Sequence, residues 1–471
     1  MLFPSIQFAV FMLLLLLLLF CVRRHPARKL ILLLASYLFY MAWNPAFILL
    51  ILASSLIDWF VGRALDREPA QPRRLQLLVI SLVANLGLLA WFKYSGFLGS
   101  MLLGFGQAAG LDWNWQVWAI TLPVGISFYT FQTLSYSIDI YARRIRPAGS
   151  LLDYALYVAF FPQLVAGPIV RASEFLPQLS RGIRLSLTPM AVLLISGGLV
   201  KKVVIADNLA PYVDAVYGNP QAFGSLDSLL ATLCFSTQIY CDFSGYSDMA
   251  IGLAAMFGLQ LPRNFNYPYF TRSPADFWKR WHMTLSRWLR DYLYIPLGGS
   301  RRGTVRTLIN LMLTMLLGGL WHGAGWNFIL WGAWHGLLLI MQRINPFAAL
   351  LSSGWQGHVG KLLGWLGLQI CVLMGWVMFR ANDWDGISML LSKLLVWDGS
   401  LQLRRQPNLE MMTVLGVLGI FWICHTAYYL RQRRRLSTVG WPAASAALAA
   451  STVLLCLLWP ADSAPFIYFQ F

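Results

Sequence analysis

Charge is what this sequence has least of. Only 12% of its 471 residues are Asp, Glu, Lys or Arg, and just 19 are acidic. A soluble domain carries about 25% charged residues, so an ordinary soluble fold is excluded. Cysteine is scarce as well: the six are Cys21, Cys234, Cys241, Cys371, Cys424 and Cys456. None forms a C-x-x-C pair, which leaves zinc and redox chemistry without support. All lie in or beside apolar runs, where a thiol serves as a small apolar filler. No metal is expected. The sequence also lacks a G-x-S-x-G elbow, a P-loop and an H-E-x-x-H motif, so the serine-hydrolase, P-loop and zinc-protease readings have no anchor. It has no internal repeat and no soluble domain longer than a loop.

What is present is apolar. Hydrophobic residues make up 58% of the chain and the mean hydropathy is +0.60. The fold class read from this is an all-α polytopic membrane protein. The net charge of +17 falls in short loops between apolar runs. That is the pattern of cytoplasmic loops facing anionic lipid headgroups rather than of nucleic-acid binding. An anionic cytosolic ligand, such as a nucleotide-bearing cofactor, would use the same charges.

Apolar runs and loop charges predict the spans. Phe8 to Val22 is followed, not preceded, by Arg23, Arg24, Arg28 and Lys29, so it reads as a retained first span rather than a cleaved signal. Leu30 to Met41 is broken off by Asn44-Pro45. Ala46 to Val61, Leu75 to Phe92 and Ile120 to Tyr141 follow, with a tryptophan-rich loop from Leu111 to Trp118 read as an interfacial belt. Tyr154 to Val170, with its prolines and glycine, reads as a broken or re-entrant helix. Met190 to Val200 is expected to end at Lys201-Lys202. Leu229 to Met256 follows, and Pro262 to Tyr294 reads as amphipathic helices on the cytoplasmic surface. Later spans are Val305 to Leu320, Phe328 to Met341, Leu362 to Phe379, Met411 to Leu430 and Ala443 to Leu458. The total is about ten to thirteen spans or partial spans. With the basic run Arg431 to Arg435 inside, both termini are expected on the periplasmic side. The organisation is one membrane-embedded domain, with N-terminal helices over 1–146, a catalytic core over 147–345 and C-terminal helices over 346–471.

Three of the six histidines, His282, His322 and His335, fall between Phe277 and Gly336. An imidazole in hydrocarbon-like surroundings is costly unless paired. His322, in GGLWHGAG, reads either as a general base or as a ring tied to a carbonyl on a neighbouring helix. His282, in RWHMTLSRW, reads as a second site residue or as a surface residue of a basic amphipathic helix, and composition alone favours the surface. His335 lies 13 positions after His322. That is about 220° around one straight helix, so it reads as a packing or supporting residue. Asp242 and Asp248 are about 240° apart on one helix and form no carboxylate dyad. Gly245 is a candidate break between them. Helix-to-helix hydrogen bonding is the plainer role for both, and for Asp139. The cations Lys201, Lys202, Lys279, Arg280, Arg287, Arg290, Arg301 and Arg302 are expected on the cytoplasmic side. There they either hold a donor's phosphates or orient the chain and meet lipid.

The motifs LPVGISFYTFQTLSYSIDIY, FPQLVAGPIVR, KKVVIADNLA, QIYCDFSGYSDMAIGL, NFNYPY, FWKRWHMTLSRWLRDYLYIPLGG, LTMLLGGLWHGAGWNFILWGAWHG and WVMFRAND occur in this order over nearly the whole chain. They resemble the membrane-bound O-acyltransferase family. The resemblance implies a ring of helices around a funnel or tunnel, His322 as the family's invariant histidine and His282 as a second functional one. It implies acetyl-CoA as the cytoplasmic donor and no permanently bound cofactor. It also implies a bacterial inner-membrane location, and a periplasmic acetyltransferase partner that places acetyl groups on a secreted polysaccharide such as alginate. Cellulose or another exopolysaccharide is an alternative acceptor. D-alanyl transfer to teichoic acid and a non-enzymatic transporter using Asp139, Asp242 and Asp248 are the rival functions.

Overall fold

The computed structural model describes residues 1, 3–117, 120–344, 357–397, 409–433, 440–460 and 466–467, apart from the side chains of 409, 410 and 431–433. Trp118, Arg434 and Arg435 therefore lie outside the described residues. All regular structure among the described residues is helical. Seven helical stretches there are long and apolar enough to cross a membrane. The protein is a multi-pass membrane protein.

The chain divides into two compact units, Met1–Ala191 with Ala250–Pro262, and Val192–Met249 with Arg263–Phe471. The first holds α1 (Ile6–Cys21), α2 (His25–Met41), α3 (Ile48–Arg67), α4 (Gln71–Ala108), α5 (Ile126–Tyr141), α6 (Leu151–Ala159), α7 (Phe161–Leu164) and α8 (Ala172–Ser180). The break before α3 occurs at Asn44, whose side chain accepts from the Ala46 amide. The expected break in 154–170 is also present: α6 stops at Phe160, and Pro162 opens α7.

Polar groups knit α3, α4 and α5 together. The buried Asp58 carboxylate accepts from Ser81, from Asn85 Nδ2 at 2.8 Å and from Ser137 Oγ at 3.0 Å. Asn85 Oδ1 in turn accepts from Ser54 Oγ at 2.6 Å and Thr133 Oγ1 at 3.1 Å. A carboxylate deep in a helix bundle persists only when its lone pairs are met in this way. Arg74 does similar work at the helix ends. Its guanidinium donates to the carbonyls of Leu65, Ile140 and Tyr141, in the last turns of α3 and α5.

The second unit begins within α9 (Pro189–Leu199), which runs through a π-helical stretch, Val200–Ala206, into α10 (Asp207–Gly218). The Lys201-Lys202 pair does not end a span, as the loop charges suggest; it lies in the middle of a continuous helical run. α11 (Ser225–Met256) is likewise unbroken at Gly245. That glycine serves close approach instead: a Cβ on Gly198 would stand 2.6 Å from the Gly245 carbonyl oxygen. The unit continues with α12 (Pro274–Arg280), α13 (Met283–Leu289) and a π-turn over Arg290–Tyr294. Then come α14 (Thr304–His322), α15 (Trp326–Ile344), α16 (His358–Arg380), α17 (Trp384–Leu395), α18 (Leu409–Arg433) and α19 (Trp441–Leu458).

Candidate functional site

The site is built where a short helix fails. α12 and α13 are seven residues each, and His282 sits between them with φ 41° and ψ 56°. This left-handed conformation is uncommon for a residue with a Cβ and costs on the order of 1–3 kcal/mol unless its surroundings enforce it. Here the segment 264–266 enforces it. The Met283 amide donates to the Asn264 carbonyl at 2.8 Å, and the Asn266 amide donates to the Arg280 carbonyl at 2.9 Å. The groups orphaned by the break are thus met from outside the helix.

The Asn264 side chain completes the junction. Its Oδ1 accepts from Thr284 Oγ1 at 2.9 Å and from the Thr284 amide at 3.3 Å, and stands 3.1 Å from His282 Nδ1. Its Nδ2 donates to Ser247 Oγ on α11 at 3.2 Å. The sequence reading of His282 as a surface residue is corrected: the residue is fully buried. Its ring packs edge-on against Phe243 at 4.6 Å and against Trp321 at 5.9 Å. Burial in this aromatic shell pushes its pKa down to about 3, so the ring is neutral at physiological pH.

His322 closes α14 and faces the same shell. Its ring lies 6.5 Å from that of His282, 5.0 Å from Trp331 and 5.4 Å from Phe379, centroid to centroid. The turn after it allows α15 to fold back closely. A Cβ on Gly332 would meet the Met315 carbonyl at 2.5 Å, and one on Gly319 would meet the Phe328 carbonyl. His322 and His335 therefore lie on two packed helices, not one, and both pack edge-on against the same Trp331 ring, at 5.0 and 4.9 Å. His335 stacks on Phe277 at 6.1 Å and packs edge-on against Trp278 at 5.2 Å.

The carboxylates pair with lysines. Lys202 Nζ reaches Asp207 at 2.8 Å and Asp242 at 2.9 Å, all three buried. The Ile467 amide donates to Asp242 Oδ2 at 2.6 Å. Lys201 pairs with Asp248 at 2.6 Å. In the first unit Asp139 pairs with Arg144 at 3.1 Å. Two of the remaining cations also pair with carboxylates. Arg280 pairs with Asp276, and Arg290 with its neighbour Asp291.

Arg280 does line a cavity of about 960 Å³, together with Arg272, Lys361, Tyr267, Trp365 and Tyr429. Sequence reading missed Arg272 and Lys361, because a single cation beside an apolar run carries no local signal. It also missed Asn264, Ser247, Thr284 and Asp207 as site or network residues, because their partners are distant in sequence.

The profile of the membrane-bound O-acyltransferase family matches residues 141–373. The protein named "Probable alginate O-acetylase AlgI" from Azotobacter vinelandii is 38% identical over 426 residues, 89% of this chain and 83% of that one. Its namesake from Pseudomonas aeruginosa is 40% identical over 415 residues, 86% of this chain and 77% of that protein. The peptidoglycan O-acetyltransferase of Helicobacter pylori is 33% identical over 491 aligned positions, 94% of this chain and 91% of that one.

Proposed function

This chain belongs to the membrane-bound O-acyltransferase family, and on that premise we propose that it moves acetyl groups from cytoplasmic acetyl-CoA across the bacterial inner membrane. The acetyl groups are destined for a secreted polysaccharide of the alginate kind, with a periplasmic acetyltransferase completing the delivery. The observation that carries this reading is the pair of buried imidazoles, His282 and His322, 6.5 Å apart in one aromatic shell. A neutral imidazole accepts a proton from an attacking hydroxyl. The hydroxyl oxygen bonds to the thioester carbonyl carbon, the C–S bond breaks, and the imidazolium returns the proton to the departing thiolate. His322 is the base in this scheme and His282 assists it. His335 supports the scheme by packing against Trp331.

The cavity over Arg280 supports a donor that is both anionic and aromatic. Arg272, Arg280 and Lys361 suit phosphates, and Tyr267, Trp365 and Tyr429 suit a purine. Basic loops on the cytoplasmic side, with both termini periplasmic, agree with a donor arriving from the cytoplasm. A polysaccharide acceptor is supported by the relatives' names, an alginate O-acetylase and a peptidoglycan O-acetyltransferase among them.

The test uses membranes holding this protein and its partner, supplied with labelled acetyl-CoA. His322→Ala should lower acetylation by about 10²–10⁴-fold while the protein remains folded and membrane-bound. Undiminished acetylation by His322→Ala overturns the role of that residue. Label that enters polymer only from a D-alanyl carrier, and never from acetyl-CoA, overturns the donor.

A further inference from the structure

Three atoms point at Asn264 Oδ1: the Thr284 amide nitrogen, Thr284 Oγ1 and His282 Nδ1, at 3.3, 2.9 and 3.1 Å. The backbone amide is an obligate donor. It fixes which end of the Asn264 amide faces it, because the alternative orientation would set an NH2 group against an N–H. The opposite end donates to Ser247 Oγ on α11, which anchors the amide plane. An amide oxygen only accepts, so a ring nitrogen hydrogen-bonded to it must carry the hydrogen.

We propose that Asn264 is the positioning residue of the His282 ring, holding the proton of the neutral imidazole on Nδ1 and so assigning Nε2 as its proton-accepting nitrogen. The left-handed backbone at His282 belongs to the same device. The Met283 amide bonds to the carbonyl of Asn264 itself, so one residue sets both the backbone turn that aims the ring and the tautomer it adopts. Such an orienting partner is what a histidine base requires. The titratable ring facing His282 is His322 of α14; the other rings against it, Phe243 of α11, Phe265 and Trp321 of α14, do not titrate.

The tautomer stands on geometry alone; its use in acyl transfer rests on the function proposed above. Two readouts separate them. The first is the ring 15N spectrum of the full chain labelled at its six histidines, with His282 assigned by its loss in His282→Gln. At neutral pH the His282 ring should show a protonated Nδ1 and an unprotonated Nε2. Asn264→Asp, which keeps an acceptor in place, should preserve that pattern and raise the pH at which the ring takes a second proton. Asn264→Leu should abolish the preference. A protonated Nε2 in the unaltered protein, or the same tautomer in Asn264→Leu, overturns the proposal. If Asn264→Leu fails to fold, an Asn264→Asp ring that titrates where the unaltered one does overturns it equally.

The second readout is acetyl transfer. Asn264→Leu should lower kcat at least about tenfold, a part of the roughly 10²–10⁴-fold a positioned base supplies, with KM for acetyl-CoA unchanged. Asn264→Asp should restore most of the rate. A predicted tautomer in a protein whose His282 variants transfer normally removes His282 from the reaction but leaves the positioning intact.

Discussion

Two interruptions of regular helix in the second unit handle titratable groups in opposite ways. At His282 the helix breaks outright, into a left-handed residue, and the group placed there is neutral and held by an amide oxygen. At Val200–Ala206 the helix widens into a π-stretch without breaking, and the groups placed there are charged and neutralised by carboxylates. The first arrangement leaves a ring able to gain and lose a proton. The second locks protons in place, because removing a proton from Lys202 would leave Asp207 and Asp242 buried without their counter-charge. On the function proposed above, the proton-handling ring and the structural ion pairs thus sit in separate places, each marked by its own departure from helix geometry.

Substitutions can break or sharpen that contrast. The largest effect should be on turnover at the broken helix. His282→Gln should lower acetyl transfer by about 10²-fold or more with a melting temperature close to that of the unaltered protein, as read by thermal shift in detergent. Next comes the buried lysine. Lys202→Met strands two buried carboxylates and should cost about 3–5 kcal/mol of stability. Lys202→Met combined with Asp207→Asn and Asp242→Asn should recover much of that loss, and whatever protein remains folded should turn over normally.

A smaller effect concerns acid. The folded His282 ring is depressed to about 3 from 6.5. Between those values the unfolded chain binds a proton that the native ring refuses, so stability is full above pH 6.5 and declines as pH falls towards 3. Denaturation followed against pH should show this acid limb, partly flattened in His282→Gln. The smallest effect is expected at Lys201–Asp248, whose side chains are 25% and 29% exposed. Lys201→Met should cost less than Lys202→Met, because it strands one partly exposed carboxylate rather than two buried ones. A loss as large as that of Lys202→Met would erase the distinction between the two lysines.

The long helices were legible in place because lipid-facing segments announce themselves by composition, though not always in extent: α4 runs to Ala108, well past the expected end at Phe92. α14 begins and ends within two residues of the expected Val305 to Leu320, and the broken stretch after Tyr154 was visible from its prolines. What stayed hidden depended on partners remote in sequence. Lys201-Lys202 looks like the charged end of a span until Asp248, 47 positions on, is brought beside it. His282 looks like a surface residue because seven-residue helices are too short to show a buried face by periodicity. The segment 264–266, which buries and turns it, bears no local mark of that task. His322 and His335 looked divergent on an assumed single helix. The GLWHGAG turn makes them two helices, and a shared tryptophan makes them neighbours. For Asp58 the sequence offered one acid in an apolar run, with no hint of the hydroxyls and the asparagine amide that would satisfy it.

The length of α4 has a consequence for depth. Its 38 residues make a rod of about 57 Å, against a hydrocarbon layer of about 30 Å. Even tilted by about 40°, the upper end of what membrane helices show, it projects about 44 Å along the normal, the thickness of the bilayer with both headgroup regions. Laid across the bilayer, α4 is therefore long enough for its two ends to reach opposite headgroup regions. Asn85, 14 residues into it, is carried about 21 Å from the first end, which puts the Asp58 cluster inside the oily layer wherever the local membrane is of ordinary thickness. A helix of this surplus length meets a thinner or thicker bilayer by a change of lean.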